Sequence, residues 1–119
     1  MTIRGTVVHG KGEGSAIGYP TANLSYDSGN IPERGVWTAR VLVDFRAVEG
    51  LAVVGMWTQG NDLPSVEVHL LDFKENLYDK EIAVSLVKKL RDVESFPSVE
   101  SLIAQIKKDE EAARAFFAV

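Results

Sequence analysis

Between Gly10 and Leu24 the chain reads GKGEGSAIGYPTANL, with glycines at 10, 12, 14 and 18 followed closely by Pro20, Thr21 and Asn23. Glycine lets a backbone take positive φ and approach a ligand closely. Runs of exposed backbone N–H groups form concavities that bind anions, so a nucleotide phosphate is the first candidate ligand. Thr21 and Asn23 supply neutral oxygens of the kind a hard cation such as Mg²⁺ accepts, and Pro20 fixes φ just ahead of them. The same residue types also build ordinary tight turns and their local hydrogen bonds, and that reading stays open here. The loop is not a Walker A element, since no Lys-Ser or Lys-Thr follows its last glycine, nor a dinucleotide fingerprint, since no helical pattern follows it.

Glu67 is the second candidate. Val66, Val68 and Leu70 alternate with Glu67, His69, Leu71 and Phe73, which predicts a strand whose Glu67 face also carries large apolar groups. Partial burial among Leu71 and Phe73 would raise the pKa of Glu67 toward values useful to a general base. On an open face it would be an ordinary solvated carboxylate, and His69 reads as a structural histidine.

These side chains need a framework, and the composition limits what it can be. The 119 residues suffice for one domain spanning 1–119. Hydrophobic residues make up 45% and charged residues 25%, the balance of a soluble globular protein. A net charge of -4 argues against a broad nucleic-acid surface while leaving room for a small anion in a cleft. The absence of cysteine excludes disulfides, thiolate metal sites and cysteine nucleophiles. No apolar run approaches the ~20 residues needed to cross a bilayer. A cytoplasmic protein without membrane partners is expected.

Ile3 to His9 reads as a short strand running into the glycine loop. Beyond the loop, Thr21 and Asn23 are two apart, so in extended chain both point to one face and Ala22 and Leu24 to the other. Residues 26–34 carry Asp27, Ser28, Gly29, Asn30 and Pro32, a solvated connection. Val36 to Phe45 alternates, with Trp37, Ala39, Val41, Val43 and Phe45 on one side and Thr38, Arg40 and Asp44 on the other. Gly50 opens a second run, Leu51 to Trp57, expected to pair with the first, and residues 58–64 are turn-rich. After the strand around Glu67 and a turn at 76–80, Ile82, Val84, Leu86, Lys88 and Leu90 follow at period two.

The period then changes. Val99, Leu102, Ile103, Ile106, Ala113, Phe116 and Phe117 recur at helical spacing, with Ser98 as N-cap and Glu100 in the first turn. Five or six strands with short connections and one terminal helix predict a small antiparallel barrel with ligand loops at its mouth.

The sequence resembles the riboflavin kinase family. The resemblance covers nearly the whole chain and is carried by Gly5-Thr6-Val7-Val8-His9-Gly10, Gly18-Tyr19-Pro20-Thr21-Ala22-Asn23-Leu24, Gly35-Val36, Val66 to Phe73, Leu77-Tyr78, Leu90-Arg91 and Phe96 to Asp109. It implies a mainly β fold, a six-stranded antiparallel Greek-key barrel with a C-terminal α-helix. It also implies transfer of phosphate from ATP to the ribityl 5′-hydroxyl of riboflavin, giving FMN and ADP. By that likeness Gly10, Lys11, Gly12, Gly14 and Gly18 would cover the nucleotide, and Thr21 and Asn23 would bind both nucleotide and a divalent ion, Mg²⁺ or another such as Zn²⁺. Glu67 would accept the hydroxyl proton, while Arg91 and Phe96 would lie on the flavin side. The protein is expected to work as a monomer.

In bacteria this domain often follows an adenylyltransferase domain, which this sequence does not contain. Glu13 and Ser15 stand where family members commonly carry basic residues, and Thr58 and Asp92-Val93 also depart from the family pattern. An acid facing a triphosphate weakens its grip, so reduced activity is one expectation. The alternative is a flavin- or nucleotide-binding barrel that has lost turnover.

Overall fold

The computed structural model describes residues 1–8, 21–27, 30–58 and 62–118. Among the described residues there are six strands: β1 (Thr2–Val8), β2 (Ala22–Tyr26), β3 (Gly35–Val43), β4 (Arg46–Thr58), β5 (Pro64–Leu70) and β6 (Glu81–Arg91). One helix follows, α1 (Val99–Phe117). All neighbouring strands are antiparallel, and hydrogen bonding runs β1-β2-β5-β4-β3-β6 and back to β1, a closed barrel. Closure removes the unpaired sheet edges that an open sheet would expose. The expected architecture of six strands and a C-terminal helix is the one found.

Alternation decides which side chains fill the barrel. Ile3 and Val7, Leu24, Ala39, Val41 and Val43, Ala52 and Val54, Val66 and Val68, and Ile82 and Val84 all point inward and are buried. β-branched and small residues dominate, as suits a narrow barrel interior packed by side chains. In β2, Ala22, Leu24 and Tyr26 are buried while Thr21 and Asn23 stay partly exposed on the other face, as their spacing predicts.

A second, smaller core lies outside the barrel. Val36, Leu51 and Leu71 bury their outer-face side chains against Ala113 of α1, with Val53 and Leu90 alongside. Thr38 was expected on the polar side of β3, yet it is fully buried there. Its hydroxyl accepts from the Lys88 N–H at 3.0 Å, at a point where the β3–β6 register slips between Thr38 and Ala39. The side chain thus supplies an acceptor that the broken ladder lacks.

Several sequence expectations fail for local reasons. Phe45 does not join the inward face of β3. It forms, with Asp44, the two-residue turn of the β3–β4 hairpin, both at positive φ, and is 99% exposed. β4 begins at Arg46, and Gly50 lies inside it rather than opening it. A Cβ there would sit 2.5 Å from the His69 carbonyl oxygen, so glycine permits close approach of β5. In β6 the period-two pattern holds through Leu86 and then breaks, leaving Lys88 exposed and turning Leu90 into the outer core. Two register shifts against β3 account for the change of face. Val99 begins α1 but is largely exposed.

The Ser98 cap is present: its Oγ accepts from Ser101 N–H at 3.2 Å, and the Ser101 hydroxyl accepts in turn from Ser98 N–H.

A two-residue hairpin turn with both φ positive favours Asn-Gly or Asp-Gly, and a bulky residue in that region is strained. Phe45→Gly removes no packing, so it is expected to stabilise the protein by about 0.5–1 kcal/mol. Thermal melts of the two proteins check this, and a lower Tm for the variant would show that the Phe45 ring has a partner.

Candidate active site

Cross-strand register brings the predicted site residues into one line. Asn23 of β2 pairs with Glu67 of β5, Glu67 with Val53 of β4, Val53 with Val36 of β3, and Val36 with Arg91 of β6. The row crosses five strands and runs along the outer face, where Val36 meets the helix. From Glu67 to Arg91 it spans three strand spacings, half of the barrel's circumference.

At one end Glu67 is 8% exposed. The Thr21 hydroxyl, one residue before β2, lies 3.4 Å from Glu67 Oε1 and donates to it. Leu71 shares the outer face of Glu67, as expected, but Phe73 does not: Asp72 turns the chain at φ 56° between them. Leu71 packs under α1, and Phe73 borders the barrel core. Glu67 is thus buried on an outer face that it shares with its cross-strand neighbours Asn23 and Val53. Thr21, Asn23 and Glu67 form a set of two neutral oxygens and one carboxylate. Such a set fits a hard divalent cation that completes its shell with phosphate and water. Among the described residues no group of three or more His, Cys, Asp or Glu is placed to hold a metal. Gly10, Lys11, Gly12, Gly14 and Gly18 lie outside the described residues.

Beside Thr21 an open cleft of about 330 Å³ is lined by His69, Leu71, Phe73, Leu77, Tyr78 and Glu110 among others. Its walls combine apolar surface with a few polar groups, the usual make-up of a small-molecule site. His69 Nε2 lies 3.0 Å from Glu110 Oε2, which ties this wall to α1.

At the other end of the row Arg91 and Phe96 come together, the guanidinium carbon 5.7 Å from the ring centroid. Arg91 is also held by Asp109 of α1, with Nε–Oδ1 at 3.0 Å and Nη2–Oδ2 at 2.8 Å. The sequence reading did not single out Asp109 as a functional residue. It was detectable in principle, because Leu102, Ile106, Asp109 and Ala113 share one helical stripe and only one of them is charged.

A flavokinase (riboflavin kinase) family model matches residues 1–117. The chain belongs to the riboflavin kinase family. It is 38% identical over 120 residues to the bifunctional riboflavin kinase/FMN adenylyltransferase of Listeria monocytogenes, covering 98% of this chain. The chain spans 38% of the length of the curated relatives it matches. A solved structure from Streptococcus pneumoniae, described as a macrolide-efflux protein, superposes with a TM-score of 0.87 at 36% identity over 95% of this chain and 38% of that one. The riboflavin kinase of Trypanosoma brucei gives a TM-score of 0.69 at 24% identity, covering 98% of this chain and 79% of that one, and shares the fold. No helix among the described residues is long and apolar enough to cross a membrane.

Surface ion pairs lie around this candidate site. Arg114 of α1 donates twice to Asp72 at 2.8 and 3.0 Å, and Lys89 meets Glu33 and Asp92. Hydrogen bonds from Arg114, Lys80, Arg46 and Lys89 hold the carboxyls of Asp72, Asp44, Glu75 and Asp92 below their ordinary pKa values. A carboxyl depressed in the folded state stabilises it above the unfolded pKa, near 4, and loses that contribution as pH falls through the folded value. Thermal melts should therefore show Tm falling below about pH 4, with a shallower fall in ~1 M salt, because exposed pairs are screened. A Tm that holds or rises on acidification would contradict this account.

Proposed function

We propose that this chain phosphorylates riboflavin at the ribityl 5′-hydroxyl with ATP, giving FMN and ADP. The observation that carries the reading is the row from Asn23 and Glu67 to Arg91. It joins a carboxylate with two neutral oxygens on β2 and β5 to an aromatic, guanidinium-bearing end on β6, and α1 bridges the two through Glu110 to His69 and Asp109 to Arg91. Family membership supports the same reaction.

In the transfer, the bond between the γ-phosphorus and the ADP oxygen breaks and a bond to the 5′-oxygen forms. The hydroxyl proton passes to the Glu67 carboxylate. Thr21 and Asn23 would hold a divalent ion, Mg²⁺ or another such as Zn²⁺, which when bound neutralises charge on the phosphates. Gly10, Lys11, Gly12, Gly14 and Gly18 would cover the phosphates, and the cleft beside Thr21 would take the nucleotide base. Arg91 and Phe96 belong to the flavin side. The remaining work is positioning, which supplies much of the rate in phosphoryl transfer. The enzyme acts in the cytoplasm as a monomer, without nucleic-acid or membrane partners.

Incubation with riboflavin, ATP and Mg²⁺ should yield FMN on chromatography, and no FMN with any nucleotide or metal would overturn the reading. Glu67→Gln is expected to lower kcat by ~10²-fold or more, the scale of losing a general base. An unchanged kcat would remove Glu67 from the chemistry. Asn23→Ala should raise KM for the metal nucleotide while leaving riboflavin binding close to wild type, and equal damage to both would mean a folding defect.

A further inference from the structure

Asp109 is a charged residue that stability alone does not explain. It is 7% exposed and sits on the apolar stripe of α1 one turn before Ala113. Burying a carboxylate is costly, and well-packed apolar pairs often serve stability as well as a buried ion pair does. Both its oxygens are engaged, by Arg91 and by the Gln105 side-chain amide at 2.9 Å.

Arg91 is correspondingly committed. Nε and Nη2 face Asp109, while Nη1 donates to the Asp92 carbonyl at 3.0 Å and lies 3.6 Å from Glu94. Its planar face lies over Phe96. One guanidinium thus touches three residues of the stretch that follows β6, and Asp109 fixes that guanidinium. A planar fork held at two points cannot rotate without breaking both bonds.

We infer that Asp109 is a positioning residue for riboflavin: through Arg91 it sets the conformation of residues 92–96, an inference that rests on the flavin lying at that end of the row. Arg91 then acts as the clamp, and the flavin meets the Phe96 ring and the segment it orders. The ATP end, built on β2 and β5, is independent of this contact.

Asp109→Asn keeps the shape and removes the charge, and Arg91→Lys keeps the charge and removes the fork. Each should raise KM and Kd for riboflavin about tenfold, within the hundredfold that misplacing a binding group can cost. The KM for ATP and kcat should stay within about twofold, and the double variant should be no worse than either single one, since both break one contact. Amide exchange across 92–96 should accelerate in both. Ala113→Gly, which weakens the same helix without touching Asp109, reports a purely structural effect. If it reproduces the riboflavin defect, the positioning role is overturned. Weak riboflavin binding with unchanged exchange at 92–96 also overturns it. Faster exchange with unaltered riboflavin Kd overturns the flavin-side reading itself, and with it the inference.

Discussion

Pairing of β1 with β6 closes the sheet on itself, so the register of each strand pair is tied to all the others. Side chains alternate with a period of two, and a slip of one residue would move a strand's inward set outward. For β5 such a slip would drive Glu67 into an apolar interior and expose Val66 and Val68. The barrel core therefore selects the register that leaves Glu67 beside Asn23 and Thr21. The two shifts in the β3–β6 pairing occur only beyond Leu86, where the interior is already filled. They re-aim the end of β6 and deliver Arg91 to the same row. Core packing and site geometry are thus one constraint seen from two faces of the sheet.

The helix follows from the same arithmetic. β3 and β4 carry apolar or uncharged side chains on both faces near Val36, Thr38 and Leu51, so their outer faces need a cover that solvent cannot supply. Burying this small cluster stabilises the docking of α1, and the helix in turn reaches both ends of the row. Adjacent residues Asp109 and Glu110 face different strands: Arg91 at the end of β6 and His69 in β5. A segment recruited to hide apolar surface thereby lies against the cleft wall and against the stretch after β6. Its remaining pairs, such as Arg114 with Asp72, are exposed and contribute little by themselves.

Elements that obey one period were legible from the chain. The alternations in β3 and β5 place core residues correctly, the two-residue spacing of Thr21 and Asn23 puts them on one face, and of the helical stripe of α1 Ala113 reaches the core. What escaped were positions where local geometry interrupts the period. The Phe45 turn could not be seen because its residue type opposes its backbone conformation. Phe73 has the spacing to share a face with Glu67 and Leu71, but Asp72 turns the chain before it. The loss of phase after Leu86 depends on the hydrogen-bonding partner strand, which no local window contains. Asp109 was visible as a charge on an apolar stripe, but the partner that explains it lies at the end of β6.

In the proposed transfer the donor set of Thr21, Asn23 and Glu67 has its own electrostatic logic. A general-base carboxylate close to a triphosphate is repelled by it, and the repulsion grows as water is excluded. Acidic metal ligands would partly cancel the ion's charge before the phosphates could use it. Thr21 and Asn23 are neutral, so an ion they hold keeps nearly its full charge to offset both the phosphates and Glu67. The carboxylate is held between β2 and β4, and the Thr21 hydroxyl donates to it. In the proposed transfer, the neutrality of Thr21 and Asn23 is therefore as consequential as the negative charge of Glu67. Replacing either donor by Asp would strengthen metal binding while working against the nucleotide that the metal has to hold.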